Sequence, residues 1–128
     1  SEVSQSQYSL LFAAIGNAHG NGNGFDTFNI PDYRGRFLRG VDGGAVRDPD
    51  VASRSMMKPG GNAGNNVGSV QGDEFKTHYH SYLNSDNPGF GDASGQGGHD
   101  THYGANTGNA GGNETRPKNA YVNWIIKY

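Results

Sequence analysis

Thr77-His78-Tyr79-His80-Ser81 is the stretch on which the reading of this chain turns. Residues i and i+2 of an extended strand point to the same side, so His78 and His80 can aim both imidazoles at one point. Two nitrogens hold a metal poorly, whereas three copies of the strand around a threefold axis supply six. The spacing is thus a prediction about assembly as much as about a ligand pair. The plain alternative is two solvent-facing strand histidines, since a histidine pair without a third ligand is common.

Composition favours assembly. The 128 residues include 22 Gly, only 32% hydrophobic side chains and 17% charged ones, with a mean hydropathy of −0.79. That is chain enough for one domain or two small subdomains, with little apolar material for a core of its own. Gly-rich polar sequence often signals disorder. Here 11% aromatic residues and well-patterned ends oppose that, and favour an obligate oligomer that buries side chains between subunits. A net charge of −2 gives no electrostatic footprint for nucleic acid or an anionic membrane. The absence of cysteine excludes a disulfide framework and thiolate metal sites, and leaves the redox compartment open. No apolar run approaches the roughly 20 residues of a membrane span, and no signal-peptide pattern is visible. The chain opens abruptly on a helix start, which reads as a piece of a longer protein.

Upstream of the histidines, Ser4-Gln5-Ser6-Gln7 has the form of a capping box, with Ser4 as N-cap and Gln7 at N3. Tyr8, Leu11, Phe12 and Ile15 follow as one apolar stripe, and Gly16 stands where a C′ glycine belongs. This is the one helix the sequence predicts. Residues 17–24 read as a loop, and Phe25, Phe28 and Ile30 lead into the turn signal Pro31-Asp32. Residues 42–69 and 84–114 are dominated by Gly, Asn, Asp and Pro and exceed an ordinary connecting loop. Such stretches usually carry function or are ordered by a partner. The closing Tyr121-Val122-Asn123-Trp124-Ile125-Ile126-Lys127-Tyr128 predicts a strand with Val122, Trp124, Ile126 and Tyr128 on one face.

Three motifs in this order resemble the phage tail-fibre tip family. Tyr8-Ser9-Leu10-Leu11-Phe12-Ala13-Ala14-Ile15-Gly16 and Phe28-Asn29-Ile30-Pro31-Asp32-Tyr33-Arg34-Gly35-Arg36-Phe37-Leu38-Arg39-Gly40 are similar to the tail-collar domain. Gly68-Ser69-Val70-Gln71-Gly72-Asp73 followed by His78-Tyr79-His80 resembles the lead into a distal needle, and Glu114-Thr115-Arg116-Pro117-Lys118-Asn119-Ala120 with the closing strand resembles the family's C-terminal return. Together they cover a little over half the chain. The resemblance implies a homotrimeric tip of a tail fibre, on a virion or an extracellular phage-tail-like particle, that binds a bacterial cell-surface glycan or an outer-membrane receptor. It implies no nucleic-acid partner, no membrane insertion and no catalysis. The expected fold is mostly β and irregular with one short helix. Residues 1–68 form a partial collar-like head, and residues 69–128 an intertwined trimeric distal tip with a C-terminal return strand.

On that reading His78 and His80 from three chains hold a transition metal ion on the trimer axis. Six neutral imidazoles suit Fe(II), which is favoured, or Ni and Co, while Zn prefers four ligands. The ion would clamp thin strands that lack side chains for a core, and protonating the imidazoles would loosen it. Receptor contact is expected from the outgoing and returning segment, where Tyr82, Asn84, Asp86, Asn87, Phe90, Asp92, Asp100 and Tyr103 mix aromatic faces with amides and carboxylates. Rings stack on the apolar faces of pyranoses, and amides and carboxylates satisfy hydroxyls. The competing readings are a purely structural trimerisation tip and a glycan-cleaving enzyme. Asp48-Pro49-Asp50 offers acidic groups, but catalytic carboxylates cannot be paired from sequence. His99 and His102 depart from the His-x-His spacing, and His19, among Gly and Asn, is expected on the surface. Arg34, Arg36 and Arg39 are expected to pair with acidic residues rather than to bind phosphate.

Overall fold

The computed structural model describes residues 1–85 and 102–126. The fold over these residues is mostly strand and irregular chain with one short helix. At the N-terminus β1 (Glu2–Ser4) pairs antiparallel with β2 (Thr27–Asn29) and α1 (Ser9–Ile15) lies between them in sequence. Phe28 of β2 is completely buried and packs its ring 5.1 Å from that of Phe12.

The helix starts later than the capping box indicates. Ser4 is drawn into the β1 ladder opposite Thr27, so residues 5–8 form a turn instead. The Ser4 hydroxyl reaches the Gln7 N–H only at 3.4 Å, and Tyr8 is the N-cap without a side-chain bond. The other end is as expected. Gly16 adopts φ +51°, a conformation a side chain resists, and donates its N–H to the Phe12 carbonyl at 2.7 Å. Of the apolar stripe, Phe12 and Ile15 are half-buried while Tyr8 and Leu11 stay exposed.

A second sheet forms the centre. It contains β3 (Phe37–Gly40), β4 (Ser55–Met56), β5 (Ser69–Gln71) and β8 (Asn119–Val122), in the order β3-β8-β5-β4. The return strand β8 runs parallel to β3 and antiparallel to β5, placing Ala120 opposite both Leu38 and Val70. Val70, Ala120 and Tyr121 are buried here. The strand therefore lies earlier than the sequence pattern places it. Pairing ends where its neighbour ends, with a last bond from the Val41 N–H to the Val122 carbonyl. Trp124 beyond it is 70% exposed, and Ile125 and Ile126 about as open as side chains become.

Between these strands the long polar segments are ordered by side chains bonding to backbone. Asp42 accepts from the N–H groups of Val46, Arg47 and Asp48, and Asn62 and Asn66 donate to the carbonyls of Val67 and Ala63. A 3-10 turn (Val51–Ser53) is fastened by Gln71, whose Nε2 donates to Asp50 O and Ser53 Oγ.

The third unit is a narrow arm. Residues 74–85 run out and residues 102–116 return, with β6 (Ser81–Ser85) and β7 (His102–Asn106) pairing antiparallel from Ser81↔Asn106 to Ser85↔His102. Nearer the sheet the two chains touch through isolated bridges at Glu74–Arg116, Lys76–Gly112 and His78–Ala110. Between the first two of these, one outgoing residue, Phe75, faces three returning ones, residues 113–115, so the return chain bulges. Gly111 and Gly112 make the close approach possible, because a Cβ on either would overlap the Phe75 carbonyl or the Glu74 carboxylate.

Candidate functional site

The backbone of the arm fixes the histidines. His78 exchanges both backbone hydrogen bonds with Ala110, at 3.0 and 3.1 Å, and the His80 N–H donates to Thr107 Oγ1 at 3.0 Å while its carbonyl accepts from Thr107 N. The two rings stand edge to face with centroids 5.3 Å apart, so they share one side of the strand. His78 Nδ1 lies 3.0 Å from the Lys76 carbonyl. A carbonyl can only accept, so this bond puts the proton on Nδ1 and leaves Nε2 free as a donor atom, the usual outer-shell arrangement of a metal-binding histidine. Phe75 packs edge-on against His78 at 6.4 Å. Both histidines are exposed, as are Phe75, Tyr79, Tyr82 and Leu83 along the same chain. Among the described residues no cluster of three or more His, Cys, Asp or Glu could hold a metal. One chain thus presents two neighbouring imidazoles and no third candidate ligand among these residues.

Of the expected receptor contacts, Tyr82 and Asn84 lie on β6 and Tyr103 on β7, with Asn84 and Tyr103 directly opposite each other in the register. The Tyr82 ring is 49% exposed. Asp86, Asn87, Phe90, Asp92 and Asp100 lie outside the described residues, as do His99 and Tyr128. His102 is the first residue of β7.

A buried polar network has no counterpart in the sequence reading. Arg54 is 3% exposed and lays its guanidinium 3.3 Å over the Tyr121 ring while pairing through Nε and Nη2 with Asp48 Oδ2. The Tyr121 hydroxyl sits 3.0 Å from Asp48 Oδ2 and 2.5 Å from Gln71 Oε1. Both are acceptors, so its one proton serves one of them at a time. Burial pushes the Asp48 carboxyl up, but the Arg54 bond outweighs it, with the Asp50 N–H, the Tyr121 hydroxyl and the Arg39 charge, and the net shift is downward. Burial pushes the Tyr121 hydroxyl up. Asp48 and Asp50 are therefore structural partners of arginines, and the cluster holds no free carboxylate pair.

The arginine expectation is met at two positions. Arg34 forks onto Asp32 at 2.5 and 2.8 Å, which holds that carboxyl far below its ordinary range, and Arg39 forks onto Glu114 at 2.6 and 3.0 Å. Arg36 only grazes the Asn119 carbonyl at 3.5 Å. The surface expectation for His19 is overturned. It is 3% exposed, with Nδ1 lacking a partner, its ring edge-on to Tyr33 and its imidazole pushed down by burial. Residues 58–68 fold over the loop, the Asn62 N–H bonding to the Ala18 carbonyl and Gly68 packing against Ala18 and His19. Distant chain therefore covers a loop whose composition alone suggests exposure.

Comparison with known proteins bears on the N-terminal part. Residues 1–38 match the family profile of the Phage Tail Collar Domain, which here comprises β1, α1, β2 and the start of β3. Protein RhiB of Rhizobium leguminosarum bv. viciae is 40% identical over 132 aligned positions, which take in 94% of this chain and 58% of that protein. The chain thus spans little more than half the length of this relative. No solved structure matches. The first 38 residues therefore carry the phage tail collar signature that the sequence resemblance implied for them.

Proposed function

We propose that this chain is the receptor-binding tip of a phage tail fibre, or of a phage-tail-like bacteriocin fibre, acting as a homotrimer that attaches to a bacterial surface glycan or protein. The observation that carries the reading is the union of a collar-type N-terminus with a narrow, exposed arm bearing paired histidines. A two-stranded ribbon is marginal alone in water, and this one shows Phe75, Tyr79, Tyr82 and Leu83 to solvent. Three arms packed together would cover such side chains. His78 and His80 of each copy would then hold one first-row transition metal, Fe(II) by preference, whose contribution is a cross-link rather than a reaction. The role is non-catalytic, in keeping with a collar family that is typically structural. Receptor contact falls to the arm, through Tyr82 and its neighbours on β6 and β7. The test combines light scattering with adsorption to isolated bacterial envelope glycans. A mass of about three chains and adsorption lost on Tyr82→Ala without dissociation support the proposal. Trimers that adsorb to no envelope preparation support the structural tip instead, and release of reducing ends would point to an enzyme.

A further inference from the structure

The motif Glu114-Thr115-Arg116-Pro117-Lys118-Asn119 returns the chain from the arm to the sheet, and nearly every residue of it is spent on that junction. Glu114 forks onto Arg39 of β3. Thr115 Oγ1 accepts the Lys76 N–H at 2.9 Å, tying the return chain to the outgoing one. Arg116, whose side chain is 9% exposed, makes three close contacts, Nη1 to Asp50 Oδ2 at 2.5 Å, Nη2 to Glu74 Oε2 at 2.6 Å and Nε to the Gly72 carbonyl at 3.1 Å, with Glu114 Oε1 farther off at 3.6 Å from Nη1. The Lys118 carbonyl accepts from Phe37 N, and Asn119 begins β8. Just ahead of the motif, Asn113 Nδ2 donates to the other oxygen of Asp50 at 2.6 Å.

Asp50 is thus a hub. Its carboxylate receives Asn113 and Arg116 from the arm, while its carbonyl receives Gln71 of β5 and Ser53. Apart from the two chain connections, through Gly72 and Asp73 on the way out and Pro117 and Lys118 on the way back, these polar contacts are what fasten arm to sheet among the described residues. The sheet of the arm pairs only with itself. We propose that residues 113–116 form a clamp that sets the direction of the arm on the central sheet, with Asp50 as the anchor and Arg116 as the pin. Arg116 suits the task because a guanidinium presents five donors in a fixed plane, enough to hold the sheet side, the outgoing chain and a carbonyl at once. Lys118 contributes little, lying 3.9 Å from Asp73 with both side chains exposed. The proposal is independent of whether the arm carries a receptor site or a metal.

Hydrogen exchange on the intact chain tests it. In Asp50→Ala and Arg116→Met the amides of Glu74, His78 and Arg116 should exchange ~10-fold faster or more, because the arm opens as a unit, while those of Asn29 and Gly68 keep their protection. The pair Asp50→Arg with Arg116→Asp should recover part of the arm protection that either reversal alone loses. Unchanged arm exchange in both single variants overturns the clamp. Equal acceleration in arm and sheet also overturns it, because the contacts would then be general stability rather than a junction. Failure of the swapped pair to exceed the single reversals overturns the Asp50–Arg116 pairing as its pin.

Discussion

Replacing Arg54 by Met should be among the most damaging single changes away from the arm, and the structure sets its size. The substitution keeps a similar length of side chain over the Tyr121 ring but removes both guanidinium donors from Asp48, whose side chain is only 3% exposed. Breaking a buried pair from one side typically costs ~3 to 5 kcal/mol, because a charge is left without its partner. Asp48 would not be wholly orphaned. Its Oδ1 still accepts the Asp50 N–H at 3.0 Å, the Tyr121 hydroxyl stays within reach of Oδ2, and Arg39 Nη2 remains 3.9 Å away. The lower end of the range, ~3 kcal/mol, is therefore expected, a large part of the ~5 to 15 kcal/mol that holds a typical protein together. Urea denaturation followed by tyrosine and tryptophan fluorescence gives the midpoint and slope, with the midpoint falling and the slope unchanged. Adding Asp48→Asn to Arg54→Met should restore more than ~1 kcal/mol, since the unpaired charge is gone. A double variant no more stable than Arg54→Met alone would refute the account, because the cost would then come from lost packing rather than from a stranded carboxylate. Acid reports the same pair from the other side. The folded-state carboxyl of Asp48 titrates below its ordinary value of 3.8, so its contribution is complete above that pH and disappears as the pH falls through the folded value.

Phe28→Ala should cost ~3 to 5 kcal/mol, because the ring is fully buried against Phe12; calorimetry and loss of exchange protection at Asn29 and Ile30 check it. His19 should make the protein weaken as pH falls from 6.5 toward its lower folded value, since only the unfolded chain takes up the proton readily in that window. Thermal midpoints at pH 7 and pH 5 should therefore lie closer together in His19→Gln than in the parent, and an unchanged gap would assign the pH dependence to other groups. If the proposed axial ion exists, metal analysis of protein purified without chelator should find about one first-row ion per three chains. Either His78→Ala or His80→Ala should lose it and the associated heat resistance. Less than a tenth of an ion in the parent would return both histidines to ordinary strand residues.

Local pattern carried the helix, the glycine that ends it and the pairing face of the histidines, because these depend on residues within one or two turns of each other. The helix start was misplaced by a long-range cause, the pairing of Ser4 with Thr27 across 23 residues of sequence. The same holds more strongly for the polar network. Tyr121 meets Asp48 at a separation of 73 residues and Gln71 at 50, and Arg116 meets Asp50 at 66. Polar residues in an aperiodic stretch give no sign of which distant partner they serve. His19 was misjudged for the same reason, since what covers it lies some 40 residues on.

The closing strand was misplaced for a different reason. The hydrophobic pattern places the strand at residues 121–128, yet the strand that pairs and is buried is Asn119-Ala120-Tyr121, while Trp124, Ile125 and Ile126 face water. Phe37 and Leu38 on the edge strand β3 are exposed as well, and Trp124 lies beside Gly40 at the end of that strand. Among the described residues, then, charged and amide groups share the interior with Phe28, Val70, Ala120 and Tyr121, while many large apolar groups lie outside. Apolar surface left in water is unfavourable in rough proportion to its area, and contiguous patches of it on soluble proteins usually mark a contact surface. These apolar side chains become core if the core is shared between copies of the chain. On the proposed trimer, Trp124 and Ile126 are buried by neighbouring copies, and Trp124→Ala should lower the concentration stability of the assembly while leaving the Arg54–Asp48–Tyr121 network of each chain intact.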